Sequence, residues 1–490
     1  MSQLRTPLPV VAFVLLTGCS AEDEATSPTK TPDFAAVRAD VEQFRIDNHL
    51  PGLAVAVVLD GKLAYSEALG VKSVETGEPL TPKTVVPTGS IAVKLLVAAT
   101  LGQLEREGKL DLDAPMKHAV PWLNLPAGAE SATLHHGLTM SSGLTRPVRK
   151  SCADPSLKAA FAELHFAAPP GHIWIYSSTG FSIGAAAIEE SEKRSFEEVL
   201  LERFLGPMGL SSATFDAAVA MQGDHSASHV VSADGKKTKA YELDRLPNCD
   251  PGADCSVCED FRANAGLYLG AEDLATLLEH IVAKQAPFDA ATVDAVTLNH
   301  VSPGIGAGYD YGYGIFDMPM ANGTLELAGT EYAGVTGLIA WVPGSGSGVV
   351  LLGNAYQDEK ALLPRFQELA IGVARRFVDI GDPVDLSTPP GTWGKYVGKY
   401  GGPSVLIQYP YQVTLSPAGK LELYNALWDK GPVEMKQGAP SWLASGGDTF
   451  YVDDPAVGPR ELTFFAGAGD GSKMQYMVDP WRFLVATRLE

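Results

Sequence analysis

Basic residues, cysteine and long apolar runs are all scarce in this sequence. It has 37 Lys and Arg against 58 Asp and Glu, a formal net charge of −21. A surface this acidic repels phosphate backbones, so we expect no nucleic-acid partner. Its 46% hydrophobic and 19% charged residues are typical of a globular protein, and 490 residues suffice for two or three domains. Because the sequence has no clustered set of metal ligands, we expect no metal and no cofactor.

The N-terminal apolar run, from Leu8 to Leu16, is far shorter than the ~20 residues that a membrane span needs. Arg5 precedes it, and basic-then-apolar order is typical of a signal peptide. The segment from Leu16 to Cys19 resembles the bacterial lipobox, in which the cysteine becomes the lipidated first residue. We therefore expect a signal peptide at 1–18, a lipid on Cys19 and a polar tether at 19–32. An ordinary cleaved signal with a chance cysteine is the alternative.

This interpretation of the N-terminus also predicts a location. The protein would be anchored by its lipid to a membrane of the bacterial cell envelope. Ser20, which follows the lipidated cysteine, favours the outer membrane by resemblance to known sorting rules, facing the periplasm or the exterior.

Four cysteines remain beyond Cys19. An even number in an exported chain indicates disulfides, and four cysteines allow three pairings. A metal site is the alternative, but the stretch that holds three of them has no histidine nearby. The disulfide candidates are Cys152, Cys249, Cys255 and Cys258.

The order of the predicted elements indicates an α+β fold. Two apolar runs flank Asp60-Gly61, a strong hairpin signal. Gly-punctuated strands return near 310–353, so an antiparallel sheet would unite the two ends of residues 33–380. After a linker at 381–391, short alternating runs over 392–490 predict a β-rich domain, an antiparallel sheet or small barrel. Helices are predicted at 33–48, 91–107, 181–190, 264–284 and 358–378.

Three local patterns could carry chemistry. The first has Ser90 and Lys94 at the start of the predicted helix 91–107. In the second, Tyr176 and Ser178 follow Pro170-Gly171. The third runs from Glu331 to Gly337 and opens a strand.

In this order and spacing, the patterns resemble landmark segments of the class C β-lactamase, carboxylesterase and D-aminopeptidase family, over roughly residues 40–375. The resemblance implies an antiparallel sheet flanked by helices, with an all-helical subdomain. It also implies hydrolysis of an ester or small amide through an acyl-serine intermediate. The segment 392–490 resembles the lipocalin-like barrel that follows many such domains.

The resemblance assigns a role to each residue. Ser90 would be the nucleophile, Lys94 its base, and Tyr176 a second general acid and base with Ser178 as its polar companion. The backbone N–H groups of Ser90 and Gly334 would form the oxyanion hole.

The spacing of serine and lysine departs from this family. Family members place them three residues apart, whereas Ser90 and Lys94 are four apart. Counting back from the lysine puts Ile91, which cannot act as a nucleophile, in the serine's place. On a helix, i+3 and i+4 lie on one face, so contact stays possible. A one-residue π-bulge at 90–94 would restore the family's alignment.

The third pattern departs as well, because Glu331 stands where the family has Lys or His, and Ala333 replaces a glycine. A carboxylate there would repel the carboxylate of a β-lactam or a peptide C-terminus, so we expect poor β-lactamase activity. As alternatives, Glu331 is a surface charge or a partner of Lys94.

Other interpretations stay open. Ser90 could be only a helix N-cap, Lys94 a solvated side chain, and Tyr176 a packing residue. The chain would then be a catalytically silent relative that binds a ligand, a peptidoglycan fragment or a protein partner. For His135 and His136 a structural role is favoured over metal binding.

Overall fold

The computed structural model describes most of the chain outside the N-terminal 31 residues. The predicted signal peptide and Cys19 lie outside the described residues, as do all four disulfide candidates, so lipidation and disulfide pairing stay predictions. The described residues are 32–145, 156–161, 164–166, 169–171, 174, 176–243, 259–298, 310–332, 334–357, 362–384, 390–401, 411–425, 431–437, 447–454, 458–465, 473–479 and 482–488.

Most of the predicted helices form close to their expected bounds. The helix expected at 264–284 begins only at Ala271, because the residues before it pair as a short strand. The helices are α1 Phe34–Asp47, α2 Ala92–Arg106, α3 Met116–Ala119, α4 Leu134–Leu138, α5 Leu157–Ala160, α6 Thr179–Glu192, α7 Phe196–Leu200, α8 Ala217–Ala220, α9 Glu259–Ala265, α10 Ala271–Val282, α11 Ala290–Thr297 and α12 Leu363–Ala374. A π-helical turn, Leu201–Leu205, and a 3-10 helix, Pro390–Tyr396, complete the helical segments of the described residues.

The first fourteen strands build one large sheet and three small ones. They are β1 Gly52–Leu59, β2 Lys62–Gly70, β3 Val86–Pro87, β4 Leu144–Thr145, β5 His165–Phe166, β6 Ser228–Val231, β7 Thr238–Tyr241, β8 Tyr268–Leu269, β9 Asp310–Tyr311, β10 Phe316–Met320, β11 Gly323–Tyr332, β12 Val335–Val342, β13 Ser347–Gly353 and β14 Ala355–Gln357. The large sheet has the order β2-β1-β13-β12-β11-β10-β9 and is antiparallel throughout. The hairpin of β1 and β2 therefore pairs in one sheet with β9 to β13, as the sequence predicts.

Helices cover both faces of this sheet. On β13, a Cβ at Gly348 would meet Leu278 of α10, and a Cβ at Gly353 would meet Phe366 of α12. These glycines are five residues apart, so they point to opposite faces. With both faces covered, β1 is a nearly continuous apolar run with seven of its eight residues buried. These layers confirm the predicted α+β fold.

Helix α2 lies in the interior and packs against α6, α9 and α11. Each residue from Ala92 to Gly102 is buried, so the helix is covered on all sides. Because the helix follows the Ser90 turn directly, the serine lies at the end of a fixed element.

Helices α4 and α6 touch through two glycines. A Cβ at Gly180 would lie 2.1 Å from the carbonyl oxygen of Gly137. The absence of a Cβ at both positions therefore allows the two backbones to meet. Since α6 starts three residues after Tyr176, this contact helps to fix the position of the tyrosine.

The remaining strands form a nine-stranded antiparallel sheet around a core of their own, which includes Tyr400, Leu423 and Phe450. They are β15 Gly398–Gly401, β16 Tyr411–Leu415, β17 Leu421–Asn425, β18 Val433–Glu434, β19 Lys436–Gln437, β20 Gly447–Asp454, β21 Gly458–Phe465, β22 Lys473–Asp479 and β23 Arg482–Arg488. The order is β18-β17-β16-β15-β23-β22-β21-β20-β19. The strands at the two ends of this order, β18 and β19, follow each other in the sequence with only Met435 between them. Closure into a lipocalin-like barrel stays a prediction. Over the described residues, no helix is long and apolar enough to cross a bilayer.

The glycine contact between α4 and α6 leads to a stability prediction. Gly180→Ala should lower the melting temperature, because overpacking two touching backbones costs about 1–3 kcal/mol or more. Gly372→Ala is the matched control: this glycine also lies inside a helix, α12, but a Cβ there would meet nothing within 4 Å. It should stabilise the protein slightly. Equal melting temperatures for the two variants in differential scanning fluorimetry would contradict this explanation.

Candidate active site

Ser90 lies in a turn that is held from both sides. Before it, β3 pairs with β8, and the Thr88 hydroxyl donates to the carbonyl oxygen of Leu267 at 2.7 Å. Gly89 has φ +55, and a Cβ there would lie 1.9 Å from Thr330 Oγ1 on β11. The turn therefore needs glycine at 89 for two reasons, its left-handed backbone and its close approach to the sheet.

Lys94 extends from the first turn of α2 into the interior, where it is only 1% exposed. Its ammonium nitrogen Nζ donates to Tyr176 Oη at 2.8 Å. The same nitrogen lies 4.2 Å from the centroid of the Tyr176 ring and 5.2 Å from that of Phe181. Buried cations need such compensation, so the interpretation of Lys94 as a solvated helix residue is wrong.

Tyr176 links the lysine to the serine. Its Oη accepts from Lys94 and donates to Ser90 Oγ at 3.1 Å. Behind it, the Trp174 ring packs edge-on against Tyr176 and Tyr311, at 6.2 and 5.6 Å between centroids. Burial raises the pKa of the Tyr311 phenol well above its usual value. The hydroxyl of Tyr176 thus contacts polar groups, while its ring packs against Trp174.

Ser178 stands at the N-cap position of α6, and its carbonyl oxygen accepts from the N–H groups of Phe181 and Ser182. Its position two residues after Tyr176 ties the tyrosine to the start of that helix. The predicted role of its hydroxyl as a polar companion stays a prediction.

The four-residue spacing of Ser90 and Lys94 involves no π-bulge, because the serine lies in a turn before the helix. Helix α2 starts at Ala92, and Gly89, Ser90 and Ile91 form a turn before it. Ser90 is therefore outside the helix, where helical spacing does not apply. The N-cap position belongs to Ile91 and has no side-chain cap, so the N-cap interpretation of Ser90 is also wrong. Ile91 is fully buried and does not take the serine's place beside Tyr176.

Glu331 has neither of the roles proposed from the sequence. It is 8% exposed, and its two carboxylate oxygens accept from the backbone N–H groups of Leu362 and Leu363 at 2.8 and 2.9 Å. It therefore caps the start of α12 and is not a surface charge, a partner of Lys94 or a ligand-binding group. The reason is the alternation of β11, which turns this side chain to the α12 face of the sheet.

The same alternation gives Tyr332 the opposite direction. We call the side of the sheet that carries Thr330, next to Gly89, the serine face. Tyr332 is two residues after Thr330 on β11 and belongs to this face. Sequence reasoning missed this residue, because no local pattern shows which face of β11 lies beside Ser90.

Gly334 lies in the turn between β11 and β12 with φ +77, and its carbonyl oxygen accepts from the His229 N–H at 3.2 Å. A Cβ there would lie 2.5 Å from Ser228 Cβ, so glycine is required. The turn is thereby fixed to β6, and the oxyanion role of the Gly334 N–H stays a prediction.

The two adjacent histidines have structural partners. His135 Nδ1 lies 2.8 Å from Tyr313 Oη, and His136 completes a capping box with Thr133 at the start of α4. Burial lowers the pKa of His136. Within the part of the chain that is described, no three His, Cys, Asp or Glu side chains lie together as a metal site would need.

Glu331 makes stability depend on pH. Burial raises the pKa of its carboxyl to about 7, and the N–H groups of Leu362 and Leu363 lower it by a smaller amount. A carboxyl with a raised pKa in the folded state stabilises the fold in its protonated form. That contribution is complete below pH ~4.5 and is lost as the pH rises through ~7.

Glu331→Gln removes this titration. From pH 5 to pH 8 the melting temperature of the wild type should fall relative to that of the variant, by the equivalent of about 3 kcal/mol. Melting curves of both proteins across this range measure the difference. A difference that stays constant, or that changes in favour of the wild type at higher pH, would refute the assignment.

Comparison with known proteins agrees with this geometry. The family model described as Beta-lactamase matches residues 37–372, more than half of the chain. Esterase EstB of Burkholderia gladioli is 28% identical over 385 residues, which cover 70% of this chain and 96% of the esterase. Penicillin-binding protein 4 of Amycolatopsis lactamdurans is 29% identical over 185 residues, 36% of this chain and 48% of that protein.

Solved structures share the fold at lower identity. The structure of SurE has a TM-score of 0.65 and 23% identity, over 93% of this chain and 98% of that one. The octameric penicillin-binding protein homologue from Pyrococcus abyssi has a TM-score of 0.59 and 19% identity, over 93% and 100%. By the matched model, the fold and the relatives, the chain belongs to the beta-lactamase family and is of the serine hydrolase kind.

Proposed function

We propose that this protein hydrolyses an ester or a small amide through an acyl intermediate on Ser90. The observation that carries the proposal is the line of hydrogen bonds from Lys94 Nζ through Tyr176 Oη to Ser90 Oγ, at 2.8 and 3.1 Å. A serine is a poor nucleophile until a base removes its proton. Here a phenol is in contact with the serine, and a buried cation is in contact with the phenol.

These hydrogen bonds provide a path for removing the proton of the Ser90 hydroxyl. Tyr176 donates to Ser90 in the resting arrangement, so it first releases its phenolic proton to bulk water, and the Lys94 ammonium at 2.8 Å stabilises the phenolate that forms. The phenolate takes the proton of Ser90 as Oγ attacks the carbonyl carbon of the substrate. The tetrahedral intermediate collapses, and the leaving alkoxide or amine takes that proton from Tyr176.

Water completes the cycle. It attacks the acyl-serine while Tyr176 takes one of its protons, and this proton returns to Ser90 Oγ as the acid leaves. The backbone N–H groups of Ser90 and Gly334 would stabilise the oxyanion in both steps. The left-handed turn at Gly334, fixed to β6, supports this assignment because it holds the backbone rigid.

The names of the relatives support the substrate class. Esterase EstB aligns with 70% of this chain, and a D-aminopeptidase of Brucella anthropi is 28% identical over 215 residues, 39% of each chain. An ester is the better first substrate, since its carbonyl is more reactive than that of an amide.

The steady-state hydrolysis of p-nitrophenyl butyrate tests the proposal. Ser90→Ala should abolish it. Tyr176→Phe removes the group that transfers the proton, and Lys94→Met removes the charge that stabilises its phenolate, so each should lower kcat by about 10²–10⁴-fold. Ser212→Ala is the control, a serine hydroxyl bonded to Asp273 at the surface, and should leave kcat unchanged.

Two results would oppose the proposal. A folded wild type that hydrolyses no ester would favour the catalytically silent binding protein. A Ser90→Ala variant as active as the wild type would place the reaction on another residue.

A further inference from the structure

We propose that His229 positions the backbone N–H of Gly334 for the oxyanion, through a buried, neutral imidazole ring that fixes β6. The inference rests on the proposed hydrolase function and adds a positioning residue to it. His229 lies outside the line of hydrogen bonds that ends at Ser90, and its backbone contacts the turn at Gly334.

The turn at Gly334 rests directly on the backbone of β6. The His229 N–H donates to the Gly334 carbonyl oxygen at 3.2 Å. A Cβ on Gly334 would lie 2.5 Å from Ser228 Cβ and 2.9 Å from the His229 nitrogen, so the two backbones are already in contact. Two residues after the glycine, the Thr336 hydroxyl donates to the carbonyl oxygen of Ala355, which pairs with His229 from β14. Because such a packed contact transmits displacements, a shift of β6 also shifts Gly334.

The imidazole ring of His229 holds β6 in place. The ring is fully buried, its Nδ1 lies 2.8 Å from the carbonyl oxygen of Asn354, and its Nε2 lies 3.4 Å from the backbone nitrogen of Val74. A carbonyl oxygen can only accept and a backbone N–H can only donate, so Nδ1 carries the proton and Nε2 does not. These contacts therefore select one tautomer of the neutral ring. Burial acts in the same direction, since desolvation lowers the pKa of His229.

Asn354 is a fixed anchor for this ring. Its side-chain amide accepts from the N–H of Gly52 at 2.8 Å, and donates to the Val71 carbonyl oxygen at 2.9 Å. It also donates to Ser226 Oγ at 2.8 Å. These partners lie at the start of β1, directly after β2 and shortly before β6. The position of Asn354 is therefore set by three segments of the chain, and the ring of His229 is bound to that position.

The backbone N–H of His229 is shared between two carbonyl oxygens, that of Gly334 at 3.2 Å and that of Asn354 at 3.0 Å. The ring supplies the Asn354 oxygen with a second donor, which leaves the shared N–H able to hold Gly334. Without the donor at Nδ1, the N–H would turn toward Asn354 and Gly334 would lose its support. Because the oxyanion forms only during the reaction, this loss should lower kcat and leave KM unchanged.

Two substrates that differ in one atom report on the oxyanion site. The probes are p-nitrophenyl butyrate and its thiono analogue, in which sulfur replaces the carbonyl oxygen. Sulfur is a weak hydrogen-bond acceptor, so N–H donors placed for an oxyanion favour the oxo ester. Both probes need Ser90 and Tyr176, so the ratio of their kcat/KM values, divided by the ratio of their rates with hydroxide, cancels changes in proton transfer. The wild type should favour the oxo ester in this normalised ratio.

Two amide side chains separate the roles of the ring nitrogens. His229→Gln places its amide near Nε2 and leaves the Asn354 carbonyl without the donor of the ring. It should lower the oxo-to-thiono ratio by about fivefold to tenfold, through kcat of the oxo ester, because an oxyanion donor is misplaced. His229→Asn places its amide N–H near Nδ1 and should keep the ratio within about twofold of the wild type, because the hydrogen bond is retained.

His280→Ala provides the matched control. This histidine belongs to α10, and its Nδ1 also lies near a backbone carbonyl oxygen, that of Gln285 at 3.3 Å, but it is exposed. Its variant should keep the wild-type ratio. His229→Leu, which fills the space of the ring without a donor, repeats the test in case His229→Gln does not fold.

The outcomes separate the two proposals. If the wild type hydrolyses the oxo ester, and folded His229→Gln or His229→Leu keeps its ratio, the ring only supports the fold and the inference is wrong. An equal loss in His229→Asn and His229→Gln would also contradict it, because the asparagine keeps the donor. In either case the hydrolase function stands. If the folded wild type hydrolyses neither ester, the proposed function fails, and the inference about His229 fails with it.

Discussion

Lys94 carries an ammonium group into the interior of the family domain, and the arrangement of the site follows from this buried charge. A buried cation is costly unless hydrogen bonds and polarisable groups replace the lost water. Here the Tyr176 hydroxyl accepts a hydrogen bond from the ammonium, and the rings of Tyr176 and Phe181 lie within 4.2 and 5.2 Å of the nitrogen. The tyrosine must therefore stay where it can reach the lysine, and in that place it also reaches Ser90. An interaction that stabilises the charge thus also aligns the proposed nucleophile with its base.

A second ionisable group, Glu331, is buried on the face of strand β11 that packs against α12. Glu331 and Thr330 are neighbours in sequence, but the alternation of the strand sends the carboxylate to α12 and the hydroxyl to the Ser90 turn. The carboxylate caps a helix with two N–H donors, the kind of partner that a buried anion needs. Tyr332, on the serine face, gives this part of the site a neutral aromatic group.

The sequence predicts the parts of this structure that depend on local pattern. Asp60-Gly61 between two apolar runs predicts the hairpin of β1 and β2. The resemblance to the β-lactamase family, carried by its motifs, implies Ser90, Lys94 and Tyr176 as a set. Three features depended on distant residues and were missed or wrong. Ser90 is in a turn because Gly89 packs on Thr330, some 240 residues away in the chain. The helix expected at 264–284 begins only at Ala271, because Tyr268–Leu269 form β8, which pairs with β3. The direction of Glu331 follows from the place of α12, which no local pattern reveals.

The proposed mechanism depends most on Ser90 being a nucleophile although it lies four residues before Lys94. Covalent labelling with a fluorophosphonate, followed by mapping of the adduct by mass spectrometry, tests this claim most directly. The mechanism predicts a phosphonyl group on Ser90 of the wild type and none on Ser90 of a folded Lys94→Ala variant. A folded wild type without label on Ser90, or with label on a different serine, would contradict it.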